Sequence, residues 1–160
     1  MYYYIIESPI YPLLLAGDEE GLKHLIFLKE EKDFNIPEEW IKNEEFFKET
    51  ARQLKAYFSG ELKSFNLKLA PQGTEFQRSV WNALCEIPFG DTRSYKNIAI
   101  AIENPKACRA VGLANNRNPI AIIIPCHRVI GSNGKLTGYA SGLDVKEFLL
   151  KHEEDNQETS

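Results

Sequence analysis

Nothing in this chain of 160 residues approaches the ~18 consecutive apolar residues that a membrane-spanning helix requires. Its start, Met1-Tyr2-Tyr3-Tyr4-Ile5-Ile6-Glu7, lacks the basic segment and long apolar stretch of a secretory leader. Cysteine is scarce: Cys85, Cys108 and Cys126 make an odd number with no CxxC spacing. That pattern speaks against a disulfide framework and predicts reduced thiols in a cytoplasmic protein. Histidine is equally sparse, and His24 stands far in sequence from every cysteine, so no zinc-site spacing exists. Neither a metal nor a cofactor is expected.

Net positive charge is also missing. The chain carries −4, which taken globally disfavours a polyanion as partner. By region the picture changes. Residues 1–70 hold nine Lys/Arg against thirteen Asp/Glu, whereas 71–153 hold ten against seven. Within 92–135 lie Arg93, Lys96, Lys106, Arg109, Arg117, Arg128 and Lys135, against the single acid Glu103. Charge alone leaves two readings standing: a polyanion-binding surface on an acidic protein, or a solvated face that happens to be basic.

An apolar content of 43% with 26% charged residues is ordinary for a soluble protein with one core or two small lobes. We expect an α+β protein. Short apolar or alternating runs at 2–7, 13–16 and 22–28, separated by Ser8-Pro9 and Gly17-Asp18, predict a short antiparallel sheet. Trp40, Phe46 or Phe47, Ala51, Leu54 and Phe58 share one face of a predicted helix over 37–58, and 65–69 could add a strand. Together these make a small N-terminal α/β lobe, residues 1–70, with a supporting role.

Residues 71–153 are predicted to form a mostly helical domain, followed by a disordered polar tail, 154–160. Thr74 and Gln77 make a capping-box pair ahead of the stripe Phe76, Val80, Leu84 and Ile87. Helices are predicted over 94–102 and 106–114, with Asn104 as N-cap and Pro105 opening the second; two short helices on a tight turn suggest a helix-turn-helix. The second helix dissolves into Asn115-Asn116-Arg117-Asn118-Pro119. Val145, Phe148, Leu149 and His152 line a last helix ending near Glu153.

Two segments carry chemistry. The helix Ala107-Cys108-Arg109-Ala110-Val111-Gly112 has almost no side chains able to read base edges, but its small residues permit close backbone approach to a narrow groove. A tightly packed core helix with one solvent-facing arginine reads the same way. The run Ile120-Ala121-Ile122-Ile123-Ile124 ends in Pro125-Cys126-His127-Arg128-Val129. A lone cysteine after such a run is commonly an inert buried residue, yet three adjacent polar groups are costly to bury unless paired. Cysteine attacks as thiolate, and a neighbouring imidazole and guanidinium lower its pKa. Adjacent residues rarely point the same way, so proton transfer from Cys126 to His127 needs a bent backbone or a bridging water. Glu147 and Glu153 are the candidate orienting carboxylates.

The pentapeptide around Cys126, with Asn118-Pro119 before it and Gly138-Tyr139 and Gly142-Leu143 after it, resembles the O6-alkylguanine-DNA alkyltransferases. Upstream, Gly73 to Gln77, Val80-Trp81, Ile87 to Gly90, Ser94-Tyr95 and Asn104 to Gly112 match that family in order, and the resemblance is strong over 73–153 and weak over 1–70. The resemblance implies a DNA repair protein whose partner is double-stranded DNA carrying O6-alkylguanine, with O4-alkylthymine a further candidate. The helix pair would enter the minor groove through Ala107, Cys108, Ala110 and Gly112, with Arg109 filling the gap left by the flipped base and Arg128 among the DNA contacts. Tyr95, Val129, Ala140 and Ser141 would hold the base, the carbonyls of Cys126 and Val129 receiving its amino group. Cys126 would accept the alkyl group, His127, Glu153 and a water would draw off its proton, and Asn118 would brace its turn. A thioether has no good leaving group, so each chain, a monomer with cooperative coating of DNA left open, would act once.

Cys108, Ser141 and Glu103 depart from family habit, Glu103 replacing a frequent glycine. Retention of the cysteine speaks against a damage sensor lacking transfer chemistry. A Cys-His hydrolase and a non-catalytic lesion-binding protein are the rival readings.

Overall fold

The computed structural model describes residues 1–30, 33–134 and 139–157. Lys135 and Gly138 of the sequence motifs, and 158–160 of the expected tail, lie outside them. The chain divides into two compact units, Met1–Pro71 and Gln72–Ser160.

The first unit is built on a sheet of order β3-β2-β1-β4, from β1 (Tyr2–Ile6), β2 (Leu13–Asp18), β3 (Gly21–Phe27) and β4 (Ile41–Lys42). Leu13, Leu14, Leu15 and Ala16 are fully buried, as an interior strand covered on both sides requires. β1–β2 and β2–β3 are antiparallel, as the apolar runs predict. The expected helix over 37–58 is shorter: α1 spans Lys48–Phe58, after a 3-10 turn at Glu45–Phe47. Its first third is diverted because Ile41 N–H and Asn43 N–H bond the carbonyls of Met1 and Tyr3, drawing β4 parallel to β1. Trp40 therefore leaves the helix face and packs, with tilted rings, against His24 and Phe34. The expected strand at 65–69 reduces to one bridge, Leu22 to Leu69, with Gln53 clamping both backbone groups of Asn66.

Among the described residues the second unit packs four α-helices. α2 (Glu75–Cys85) opens with the Thr74–Gln77 capping box in both directions. Gly73 precedes it because the Trp81 indole lies where a Cβ would sit, 2.5 Å away. Trp81 supplies buried surface that the expected stripe assigned to the half-buried Phe76, and its Nε1 donates to the Ala114 carbonyl at 2.9 Å. That bond ties α2 to the helix that carries Ala114.

β5 (Arg93–Ser94) pairs in parallel with β6 (Val129–Ile130) and leads into α3 (Tyr95–Ala101), whose N-terminus is closed by a Ser94–Asn97 capping box. At its end Glu103 N–H bonds Ile100 O and Asn104 N–H bonds Ala99 O, both at 2.9 Å, the paired bonds of a Schellman cap. Glu103 sits at φ +62°, the left-handed conformation that favours glycine. The turn is thus glycine-type without the glycine. α4 spans Cys108–Asn116, two residues later at both ends than expected, because Asn104–Ala107 closes as a turn through its backbone and Asn104 does not cap the helix. α3, the turn and α4 form the helix-turn-helix.

α5 runs over Leu143–Asp155, beyond the expected end at Glu153. The first part of the expected tail is ordered: Asn156 Nδ2 bonds the His152 carbonyl at 2.7 Å and Gln157 Nε2 the Gly90 carbonyl at 3.2 Å. Among the described residues no helix is long and apolar enough to cross a membrane.

Candidate active site around Cys126

The apolar run before Cys126 forms no strand. It folds into tight turns, with Ile120, Ile122 and Ile124 buried. Ile123 N–H bonds Ala121 O at 2.8 Å across Ile122, whose φ is +71°. A three-residue turn with positive φ is rare, and strained for a β-branched residue. Cys126 N–H then bonds Ile124 O at 2.7 Å across Pro125, at φ −80° and ψ 64°, the relaxed mirror of that turn. Asn118 clamps both ends: its Nδ2 donates to Ile124 O at 2.7 Å, and its Oδ1 accepts Ile120 N–H at 2.9 Å. The surrounding bonds hold the strain. Cys126–Arg128 then forms a single 3-10 turn, the bend that separates three consecutive side chains into different directions.

Cys126 is 5% exposed, and its Sγ lies 3.4 Å from the Tyr139 hydroxyl. Burial pushes its thiol pKa up, and Tyr139, Asn118 and the Lys146 ammonium pull against that rise. His127 is fully buried, with Nε2 2.6 Å from Glu153 Oε2. Burial lowers the imidazole pKa despite the carboxylate, with Arg128 and Lys146 adding to the effect. Burial would raise the Glu153 pKa, but bonds and charge from His127 and Arg128 outweigh it and hold the carboxyl well below its usual range. An ionised carboxylate only accepts, so His127 carries its proton on Nε2 and its lone pair on Nδ1. Nδ1 has no protein partner among the described residues.

The structure brings Cys126, His127, Asn118 and Glu153 together, and leaves Glu147 exposed on α5. Arg109 and Ala110 are exposed on α4, with Ala107, Cys108 and Gly112 half-buried. Tyr95 opens α3, its ring 3.8 Å from where a Cβ on Gly112 would stand. Val129 is buried, Ala140 exposed and Ser141 half-buried. The Cys126 carbonyl already accepts Val129 N–H and a long 3.4 Å bond from Asn115 Nδ2. Arg128, expected among the DNA contacts, is instead buried: it is 6% exposed, with Nε and Nη2 on Glu153 at 2.8 and 3.0 Å and Nη1 on the Ile87 carbonyl at 2.7 Å.

Three residues near the thiol carry no role in the sequence reading. Lys146 is fully buried, its Nζ 5.8 Å from the Tyr139 ring centre. Its signal was available: Lys146, Leu149 and Glu153 fall at i, i+3 and i+7, one stripe of α5. Tyr139 stood in a motif without a task. Asn115, taken as a loop residue, is 1% exposed within α4.

A thiol on a strained turn, backed by an ordered His–Glu pair and sharing a unit with a helix-turn-helix, defines a cysteine-dependent group-transfer site on a nucleic-acid-binding fold. Known proteins make this specific. The chain belongs to the 6-O-methylguanine DNA methyltransferase family: residues 75–155 match its DNA binding domain and residues 1–71 its ribonuclease-like domain. It is 74% identical over 156 residues to a methylated-DNA–protein-cysteine methyltransferase of Methanosarcina mazei, covering 98% of this chain and 99% of the relative. The namesake of Mycobacterium tuberculosis is 50% identical over 153 residues, covering 96% of this chain and 92% of the relative. Among solved structures, Mycobacterium tuberculosis OGT in complex with DNA superposes with a TM-score of 0.90 at 48% identity, over 99% of this chain and 96% of that one. A Methanococcus jannaschii O6-methylguanine DNA methyltransferase gives 0.72 at 32%, over 98% and 96%.

Proposed function

We propose that this protein repairs DNA by taking the alkyl group of O6-alkylguanine onto its own Cys126, once per chain. The observation that carries the reading is the ordered line behind the thiol: Cys126 beside Tyr139, and His127 with Nε2 tied to Glu153 and Nδ1 available to accept a proton.

The helix-turn-helix binds duplex DNA on the minor-groove side, where the half-buried Ala107, Cys108 and Gly112 and the exposed Ala110 let the α4 backbone approach. The exposed Arg109 takes the place of the extruded nucleotide. Tyr95 guides the base, whose alkyl carbon a stacked duplex would hide. The Cys126 thiol passes its proton through one water to His127 Nδ1, and Glu153 stabilises the imidazolium. The thiolate attacks the alkyl carbon; the C–S bond forms as the C–O bond breaks and the electron pair leaves on guanine O6. Tyr95, Tyr139 and the backbone N–H near Ala140 would donate to that oxygen. Ser141 sits at the pocket rim and the Val129 carbonyl receives the guanine amino group. The product is a thioether, which water does not cleave.

Intact-mass measurement after incubation with an O6-methylguanine duplex tests the reading. The expected gain is one methyl per chain, on the Cys126 peptide and absent in Cys126→Ala. Catalytic turnover of an acyl substrate without labelling would identify a hydrolase instead, and lesion binding without labelling a sensor.

A further inference from the structure

Arg128 lies next to the reaction but has no part in it as proposed above. Its planar fork meets both oxygens of Glu153, through Nε to Oε1 at 2.8 Å and Nη2 to Oε2 at 3.0 Å. Its third nitrogen is anchored on Ile87 O at 2.7 Å, and the guanidinium lies 5.8 Å from the Phe89 ring centre. Oε1 also accepts Gly90 N–H at 3.1 Å, leaving the line from Oε2 to His127. His127 itself makes one hydrogen bond to the carboxylate and could not fix its plane.

We propose that Arg128 is a positioning residue for the transfer: its guanidinium orients Glu153 and shares its charge, so that His127 rests neutral with Nδ1 ready to accept the Cys126 proton. The inference rests on the reading of Cys126 as alkyl acceptor.

A buried carboxylate 2.6 Å from an imidazole, if unshared, draws a proton onto the ring. An imidazolium has no lone pair, and a His127 already protonated could not take the thiol proton. Among the described residues three charges act on the ring: Glu153 and Lys146 from α5, and Arg128 from its own turn. The two cations oppose resting protonation. Arg128 does so by binding the carboxylate, so it sets both the direction of Oε2 and the strength of its pull. Once the proton arrives, the imidazolium lies against a carboxylate already in place, with no side chain to reorient.

The test compares native protein with Arg128→Met and Arg128→Lys, using a duplex bearing O6-methylguanine. Single-turnover rate constants are measured against pH and expressed per active chain from the final label. His127 is followed separately by NMR of histidine-labelled protein, which holds only His24, His127 and His152. In the native protein at neutral pH the expected spectrum is the neutral tautomer protonated on Nε2. In Arg128→Met, with the carboxylate unshared, the His127 titration and the acid limb of the rate profile both move up by about 1–3 pH units. Arg128→Lys keeps the charge but not the fork, so the rate falls at every pH while the limb moves less. Coincident limbs in all three proteins overturn the inference, since a purely structural role changes the active fraction alone. A native His127 that is already imidazolium at neutral pH also overturns it, without need of any variant. Failure of native protein to take label on Cys126 sinks the alkyl-transfer reading itself, a different result.

Discussion

Glu153→Gln is the sharpest perturbation of the site, because it preserves shape and reverses one set of hydrogen bonds. In the native protein Oε1 accepts Gly90 N–H and Arg128 Nε–H, while Oε2 accepts from His127 Nε2 and Arg128 Nη2. A glutamine oxygen can keep the first pair. Its amide nitrogen must then face two donors, at positions now 2.6 and 3.0 Å from Oε2. Breaking a buried ion pair by removing one partner costs about 3–5 kcal/mol, since Arg128 stays buried without a counter-charge. His127 can relieve its clash only by moving its proton to Nδ1, which removes the acceptor the thiol needs. Loss of a positioned base costs roughly 10²–10⁴-fold in rate.

The stability loss has a pH signature. The folded-state pKa of Glu153 is lowered, so its contribution is fully present above the unfolded carboxyl value, about 4.3, and is lost as pH falls toward the folded value. Urea unfolding of native and variant protein should therefore show a gap of the stated size near neutrality that narrows in acid. A variant within about 1 kcal/mol of native at neutral pH, or a gap constant into acid, would refute the reasoning.

Glu103→Gly should stabilise the protein by up to about 1 kcal/mol in urea unfolding, since relief of a left-handed residue (about 1–2 kcal/mol) exceeds the added freedom of unfolded glycine (about 0.5–1 kcal/mol). Destabilisation would show that the exposed carboxylate does something the turn geometry does not reveal. Asn118→Ala removes both clamps on the turn; Ile124 O keeps Cys126 N–H while Ile120 N–H loses Asn118 Oδ1, so a loss of roughly 1–3 kcal/mol is expected, with slower transfer, checked by unfolding and single-turnover kinetics. In Lys146→Met the positive charge that opposes the rise of the thiol pKa is gone, so iodoacetamide labelling of Cys126 should shift to higher pH; an unmoved profile would exclude Lys146 from thiolate stabilisation.

Local signals in the sequence located the elements whose ends are written in side chains. The Thr74–Gln77 box, the runs of β1 to β3 and the face of α5 are all of this kind. Where backbone decided, periodicity misled. The 37–58 helix lost its first third to a parallel pairing with β1 that no local pattern encodes, and Asn104 looked like a cap although α4 begins after a backbone-closed turn. At the site, adjacency in sequence was a poor guide to role. His127 and Arg128 both follow Cys126, and the pairing of one with Glu153 was foreseen while the other was assigned to DNA. What separates them is the direction imposed by one 3-10 turn, which composition does not contain. Lys146 escaped notice for the opposite reason: a lysine on an apolar stripe is ordinarily assumed to reach solvent along its stem.

The buried cations Arg128 and Lys146 serve different ends of one proton transfer: Arg128 is bound to Glu153, while Lys146 acts on Cys126. Both become useful when the thiol ionises. Its proton moves to His127, where Glu153 and Arg128 already form the receiving pair, and the thiolate it leaves sits beside Tyr139 and within the field of Lys146. The charges on either side are then matched: imidazolium with carboxylate, thiolate with ammonium. Alkylation ends this state, because a thioether is neutral and cannot answer Lys146, and it adds carbon where a 5%-exposed thiol was packed. Overpacking typically costs about 1–3 kcal/mol. The alkylated protein should therefore unfold at lower urea than the unreacted one. An alkylated protein as stable as the unreacted one would show that the pocket already has room for the added carbon.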